Sequence, residues 1–381
     1  MRILYISNST SGGGAPASLF NLVSSLADSN EIAVVMPVQS GKLYEQMTSL
    51  GIRCYAEVEY CLDIWPRCLN PFKWVRKMAM LRRNSTSVRR YIGKILDEFR
   101  PDIVHTNVGP LAIAFEESRK RGIPHVWHMR EYQDKDFGMT FYPSRGAFLD
   151  QIHSSGNYNV AITSDIFRHW NLDPQKDAVI YNAVRSSAYV EVPDDSGNDY
   201  FLYAARLERA KGLMMVLKAF KSYRRNEGKA VLKVAGRDSG LYGLLCRLYV
   251  KINGLQDAVE FLGHRNDVQA LMSGARAFIM SSKSEGFGLT TAEAMLNGCL
   301  VIGRDTAGTK EQFDRGVELT GREIGLRFTD VSSLVSAMSV SDSSEYDEMK
   351  NTARRLVLEQ YSVERYASQV EEFYKRILSD I

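Results

Sequence analysis

Two glutamates eight residues apart, Glu285 and Glu293, lie in "SSKSEGFGLTTAEAMLNG", residues 281–298. An apolar run ends near Ser281, glycines punctuate a turn, and a helical pattern begins near Leu289. On one continuous helix the two carboxylates would point ~80° apart around the axis. With Glu285 in the turn and Glu293 in the first helical turns, both can face one cleft. The N–H groups of Phe287, Gly288, Leu289 and Thr290 would then project from a helix N-terminus, which is a natural anion site. Thr290-x-x-Glu293 also fits a capping box, in which Glu293 merely reaches back to a backbone N–H. Glu285, between Ser284 and Gly286, has no such local role. Upstream, "AARLERAKG" (204–212) places Arg206 at the end of an apolar run and Lys211 after a short loop. An arginine fork and a lysine point charge at one sheet edge can neutralise a diphosphate.

The elements that would carry these residues follow a regular rhythm. Strands are expected at 2–7, 32–36, 102–107, 125–129, 159–163 and 178–182, then at 201–206, 231–236, 259–263, 277–282, 300–304 and 325–328. Helix-period stretches separate them, including one from Pro16, where Leu19, Val23 and Leu26 recur at helical spacing. That alternation calls for parallel sheets covered on both faces. The polar stretch 184–200, with Pro193 and Gly197, breaks the rhythm and reads as an interdomain linker. The expected domains are 1–186 and 187–362. A tail helix over about 363–381 carries Tyr366, Val370, Phe373 and Ile377 on one side and is free to pack back on the first domain. Two doubly wound α/β domains of this kind bind ligands between the carboxyl ends of their sheets.

Composition narrows the classes. At 381 residues, 45% hydrophobic and 24% charged, the chain reads as a soluble two-domain protein. There is no apolar run long enough to span a bilayer, and "MRILYISNS" reads as a first strand rather than a signal peptide. Cys54, Cys61, Cys68, Cys246 and Cys299 show no metal-ligand spacing and fit a reducing cytoplasm. The net charge of +3 argues against a nucleic-acid partner, but the cations are uneven. Ten of them fall within residues 67–100, opposed only by Asp97 and Glu98. Mixed there with Trp65, Phe72, Trp74, Met78, Met80 and Leu81, they fit a helix lying on an anionic membrane surface, or a core-packed helix with solvated charges.

The order Arg206-Leu207-x3-Lys211-Gly212, then Glu285-x7-Glu293, resembles glycosyltransferase family 4, the retaining GT-B glycosyltransferases. "VIYNAV" (179–184), "VAGRDSG" (234–240), "FLGHRNDV" (261–268) and "GRDTAGTKE" (303–311) support the likeness, which runs along essentially the whole chain. The resemblance implies a GT-B fold, with two Rossmann-like domains facing each other across a cleft. It implies that Arg206 and Lys211 grip the diphosphate of a nucleotide-sugar and Glu285 holds sugar hydroxyls. Glu293 would accept from the ribose, the backbone over 287–290 would cradle phosphate, and Gly263, His264 and Arg265 would line the base. "HVWHMREYQ" (125–133) makes His128 the candidate beside the donor sugar, with Arg130, Glu131 and His105 as acceptor-side candidates. Alanines stand at 183 and 205 where the family usually has glycine. The family often glycosylates lipid-linked acceptors in bacterial surface polysaccharide assembly. The site lacks the paired aspartates of a metal–diphosphate centre, so neither metal nor cofactor is expected.

The stretch 7–23, "SNSTSGGGAPASLFNLV", fits a dinucleotide fingerprint through Gly12, Gly14 and Ala17. The second strand, however, ends without the acid that would hold a cofactor ribose. The resemblance makes Gly12, Gly13 and Gly14 a loop of close backbone approach to the donor diphosphate. Two rival readings are a GT-B-fold UDP-sugar 2-epimerase and a non-catalytic nucleotide-sugar-binding subunit. The first lacks the Arg/Lys and Glu/Glu spacing, and the second would carry a broken site.

Overall fold

The computed structural model describes residues 1–11, 13–66, 70–185, 199–238 and 240–380. Gly12, Arg67, Cys68, Ser239 and the linker positions 186–198, with Pro193 and Gly197, lie outside the described residues. The chain divides into two compact units, Met1–Ala183 with Val363–Ile381, and Val184–Ser362.

The first unit is built on seven strands: β1 (Arg2–Ile6), β2 (Glu31–Val35), β3 (Arg53–Tyr55), β4 (Ile103–Thr106), β5 (His125–Met129), β6 (Asn157–Ala161) and β7 (Ala178–Val179). Their order is β3-β2-β1-β4-β5-β6-β7, all parallel. Every residue of β4 and β5 is buried, as a strand covered on both faces requires. The short edge strand β3 has no counterpart in the sequence reading, because three residues are too few for a period-2 pattern to show. The helix after β1 begins at Gly14 rather than at Pro16. Proline is tolerated inside its first turn, where the N–H groups have no intrahelical partner.

The tail helix Val363–Ser379 belongs to this unit. It buries Tyr366, Val370, Phe373, Tyr374 and Ile377 in the cluster that also holds Ile3, Tyr5, Leu19 and Leu22. Each such side chain contributes about 1.5–3 kcal/mol by leaving water. The basic segment folds as helices Pro71–Arg83 and Arg89–Phe99, joined by a π-helical turn at Asn84–Val88. That turn puts Asn84 inside, where its amide donates to the Cys61 carbonyl at 2.6 Å and to Asp63 at 3.0 Å.

The second unit holds β8 (Tyr200–Ala204), β9 (Val231–Ala235), β10 (Val259–Gly263), β11 (Ala277–Met280), β12 (Leu300–Arg304) and β13 (Leu326–Phe328). The order is β10-β9-β8-β11-β12-β13, again parallel throughout. Each sheet reverses its winding once, between β1 and β4 in the first and between β8 and β11 in the second. At such a reversal the loops after the two central strands diverge and leave a crevice at their carboxyl ends.

Candidate functional site

In the second unit the reversal point collects the residues singled out by spacing. The loop after β8 carries Arg206 and Lys211, and the loop after β11 carries Glu285 through Thr290. Lys211 Nζ lies 2.8 Å from Glu285 Oε2, with both side chains mostly buried. Arg206 is more exposed and pairs within its own loop with Glu208, at 2.9 Å.

Glycines let the two loops approach. Lys211 ends a 3-10 turn and Gly212 follows in the left-handed region at φ 78°. A Cβ on Gly212 would stand 2.5 Å from the Ser281 carbonyl oxygen, so only glycine fits without a shift. Ser281 Oγ in turn donates to the Lys211 carbonyl at 2.8 Å. From the far side Gly308 N–H donates to the Glu285 carbonyl at 2.9 Å. Gln312, 1% exposed, donates through Nε2 to the carbonyls of Phe287 and Gly288. Spacing alone assigns no role to Gly308 in the stretch 303–311, and it gives no signal for Gln312. A buried glutamine one turn after Gly308 is a signal only once the neighbouring loop is in place.

Helix Leu289–Leu296 starts from Gly288, which is left-handed at φ 87° and supplies no side-chain cap. The capping-box reading of Glu293 is therefore not realised. Among the described residues, the N–H groups of Gly288, Leu289 and Thr290 have no hydrogen-bond partner. Phe287 is buried and meets the Tyr361 ring edge-on at 5.0 Å. The Glu293 carboxyl, half-buried and without an ion pair, is pushed up from 4.5 to about 7 by desolvation, with Arg185 pulling weakly the other way. Gly263 ends β10 and its carbonyl accepts from Gly236 N–H at 2.7 Å. His264 and Arg265 follow it in an exposed turn, where Arg265 pairs with Asp267.

In the first unit, Gly13 stands just before the helix Gly14–Leu26 at φ 148°, and Asn107 Nδ2 donates to the Ala15 carbonyl at 3.1 Å. His105 ends on β4 and His128 on β5, both fully buried. Burial and the Arg130 charge hold both imidazoles well below their ordinary value, so both are neutral. His105 Nε2 lies 3.1 Å from His128 Nδ1, and His105 Nδ1 contacts the Tyr374 hydroxyl.

Arg130, offered above as an acceptor contact, is 4% exposed and fully engaged inside the unit. Its Nε donates to Asn107 Oδ1 at 3.0 Å, and Nη1 donates to Ser18 Oγ at 2.9 Å and to Asn182 Oδ1 at 2.5 Å. Nη2 donates to Tyr366 Oη at 2.9 Å and to His128 Nδ1 at 3.3 Å. Those contacts use every N–H of a guanidinium. The structure gives Arg130 to an internal network built from Ser18, Asn107, Asn182 and Tyr366, none of which sequence spacing could connect. Glu131 is half-buried and accepts from Gln133 Nε2 at 3.0 Å. No group of three or more His, Cys, Asp or Glu side chains among the described residues is arranged to hold a metal ion.

Two cations, a carboxylate and a helix N-terminus at one sheet reversal have the chemistry to hold an anionic, hydroxyl-bearing ligand. Residues 190–338 match the family model for glycosyl transferases group 1. The match is to the unit that carries this site. An N-acetyl-alpha-D-glucosaminyl L-malate synthase of Bacillus anthracis is 27% identical over 222 residues, 56% of this chain and 57% of that protein. The chain thus spans little more than half the length of this relative. A lipopolysaccharide core mannosyltransferase of Rhizobium leguminosarum is 23% identical over 67% of this chain and 79% of its own. The crystal structure of Anabaena HepE in complex with UDP superposes with a TM-score of 0.79 at 17% identity, covering 99% of this chain and all of the other. The two Rossmann-like units have the GT-B fold.

Proposed function

We propose that the chain is a retaining, family 4 glycosyltransferase that moves a sugar from a nucleotide-sugar to a glycan or lipid-linked acceptor in bacterial surface polysaccharide assembly. The observation that carries the proposal is the Lys211–Glu285 pair, set beside the helix N-terminus at residue 289. The relatives named above and the UDP complex of HepE support a nucleotide-sugar donor.

In this reading the leaving diphosphate gathers charge as the glycosidic bond breaks. Lys211 has three N–H donors, so it can keep Glu285 and still reach phosphate oxygens. Arg206 turns from Glu208 toward the diphosphate, and the unpartnered N–H groups over 288–290 complete the cradle. Donors preorganised toward developing charge supply the main catalytic effect. Glu285 then orients a sugar hydroxyl and Glu293 accepts from the ribose. The acceptor hydroxyl attacks from the face the diphosphate leaves and passes its proton to a departing diphosphate oxygen, and the anomeric configuration is kept. Because protein cations neutralise the diphosphate, the reaction needs no divalent metal.

Membrane association at the inner face of the plasma membrane is part of the proposal. No helix among the described residues is long and apolar enough to cross a bilayer. Helix Pro71–Arg83, however, leaves Phe72 84% and Val75 65% exposed, next to exposed Lys73, Arg76, Arg82 and Arg83. Only Leu81 of that helix is buried, which favours surface contact over core packing. A thermal-shift panel of UDP, GDP and ADP tests the donor site. One nucleotide is expected to raise Tm by mass action, by the equivalent of ~2.7 kcal/mol at a hundred times Kd. No shift with any of the three would reject the proposal.

A further inference from the structure

Helix Leu241–Ile252, in the second unit, is apolar on two opposite sides, and the fold covers only one of them. Cys246 and Val250 pack into the core of that unit. Leu241, Leu244, Leu245, Leu248 and Ile252 are between 43% and 73% exposed. At 3.6 residues per turn these five fall within an arc of ~100°, centred opposite Cys246 and Val250. Arg247 and Lys251 border that arc on one side, Tyr242 and Tyr249 on the other. A helix apolar all round is ordinarily buried, and a contiguous exposed stripe marks a contact surface. Leu245 also lines a groove of about 400 Å³ with Met214, Met215 and Tyr242, and Arg209 and Lys218 lie along it. The groove carries the apolar surface onto helix Leu213–Arg225, where the Met214 N–H donates to the Tyr242 hydroxyl at 3.0 Å.

Charge selects the occupant. The two helices carry Lys218, Lys221, Arg224, Arg225, Arg247 and Lys251 and no acid. Arg247 pairs with Asp238 at 3.3 Å, while Lys218 and Lys251 are exposed. A second copy of the chain would bring these cations against their own counterparts. The helix is also only ~18 Å long, so its face falls short of the ~1,200–2,000 Å² that a stable interface buries. An apolar stripe bordered by cations and tyrosines is complementary to an anionic lipid surface.

We infer that helix Leu241–Ile252 is a membrane-contacting surface of the second unit. It lies in the plane of an anionic bilayer surface, with its five aliphatic side chains among the acyl chains and Lys218, Arg247 and Lys251 toward lipid phosphates. The surface belongs to a different unit from helix Pro71–Arg83, and the inference stands without that helix and without the donor site.

Flotation of the full chain at low salt with phosphatidylcholine vesicles, with and without phosphatidylglycerol, measures the partition. The wild type is expected to bind only when phosphatidylglycerol is present. Leu244→Ser with Leu248→Ser should weaken that binding by ~10²-fold or more and melt like the wild type in vesicle-free buffer. In Leu248→Trp, the added indole should be quenched by brominated acyl chains beyond the quenching of the wild type. Full binding by the double-serine variant, or no extra quenching in Leu248→Trp, would overturn the inference. If Phe72→Ser with Val75→Ser abolishes binding in the same assay, the first-unit contact survives that failure. A wild-type dimer that the double-serine variant converts to monomer in sedimentation would give the face to a second copy and overturn the lipid reading. None of these readouts uses a nucleotide, so failure here is separable from failure of the donor panel.

Discussion

Lys211 and Glu285, 74 residues apart in the chain, meet in a 2.8 Å ion pair where the second sheet reverses its winding. The pairing of β8 with β11 is what brings them together, since it sets the two loops side by side. Under the proposed function, the pair would aim the lysine before any ligand arrives and leave little reorganisation for the transition state.

Lys211→Ala should therefore lower kcat/KM by ~10²–10³, the loss typical of one preorganised charge contact. Initial rates with the donor nucleotide identified by thermal shift provide the check. Activity within threefold of wild type would remove Lys211 from the chemistry.

Glu293 links pH to both stability and binding. Its folded-state value of about 7 exceeds the ordinary 4.5, so across that window the native state holds more protons than the unfolded one. Stability contributed by this group accordingly falls as pH rises from about 4.5 to 7, and the loss is complete above that. Glu293→Gln should melt like wild type near pH 4 and be more stable at pH 8 by roughly 1–3 kcal/mol, given about 1.4 kcal/mol per unit and partial exposure. Nucleotide affinity of the wild type should rise through pH 7 as the carboxylate acceptor forms, and Glu293→Gln should flatten that rise. Calorimetry at three pH values would show it.

Gly212 and Gly321 are both left-handed, at φ 78° and 70°, but only Gly212 faces backbone closely, while a Cβ on Gly321 meets nothing within 4 Å. Gly321→Ala should cost ~1–2 kcal/mol of conformational strain. Gly212→Ala should cost more and also weaken nucleotide binding, because the Lys211 loop must move off Ser281. Equal melting points for the two variants would show that the close approach is unimportant.

Phe72→Ser with Val75→Ser should release the protein from anionic liposomes in flotation, since each apolar side chain inserted contributes about 1.5–3 kcal/mol. Lys73→Glu with Arg76→Glu should act similarly at low salt, at about 1 kcal/mol for each cation lost. Wild-type protein that stays off anionic vesicles even at low salt would end the membrane reading.

Treatment with EDTA should leave the transfer rate unchanged. A loss restored by added magnesium or manganese would show that Arg206 and Lys211 do not suffice for the diphosphate.

Much of the architecture was legible because its signal is local. Strands β1, β8, β11 and β12 are largely apolar runs, as two-sided burial demands, while β4 and β5 add buried histidines to theirs. The apolar side of the tail helix was legible too, through Tyr366, Val370, Phe373 and Ile377 at helical spacing. Edge strand β3 and the π-helical turn at Asn84 were not, since their conformations answer to neighbours rather than to their own residues.

The site divides in the same way. Arg206, Lys211, Glu285 and Glu293 could be named from spacing, because charged residues at loop–helix junctions announce a ligand wherever the sheet ends. Spacing could not say whether Glu293 caps its helix. The tertiary structure decided that by placing Gly288 at the cap and leaving the carboxyl half-buried. Nor could it say what surrounds His128, because Tyr366 comes beside its ring, and Tyr374 beside that of His105, only when the last helix packs on the first sheet. Local chemistry is written in adjacent residues, whereas a side chain's protonation and partners depend on what the fold packs against it.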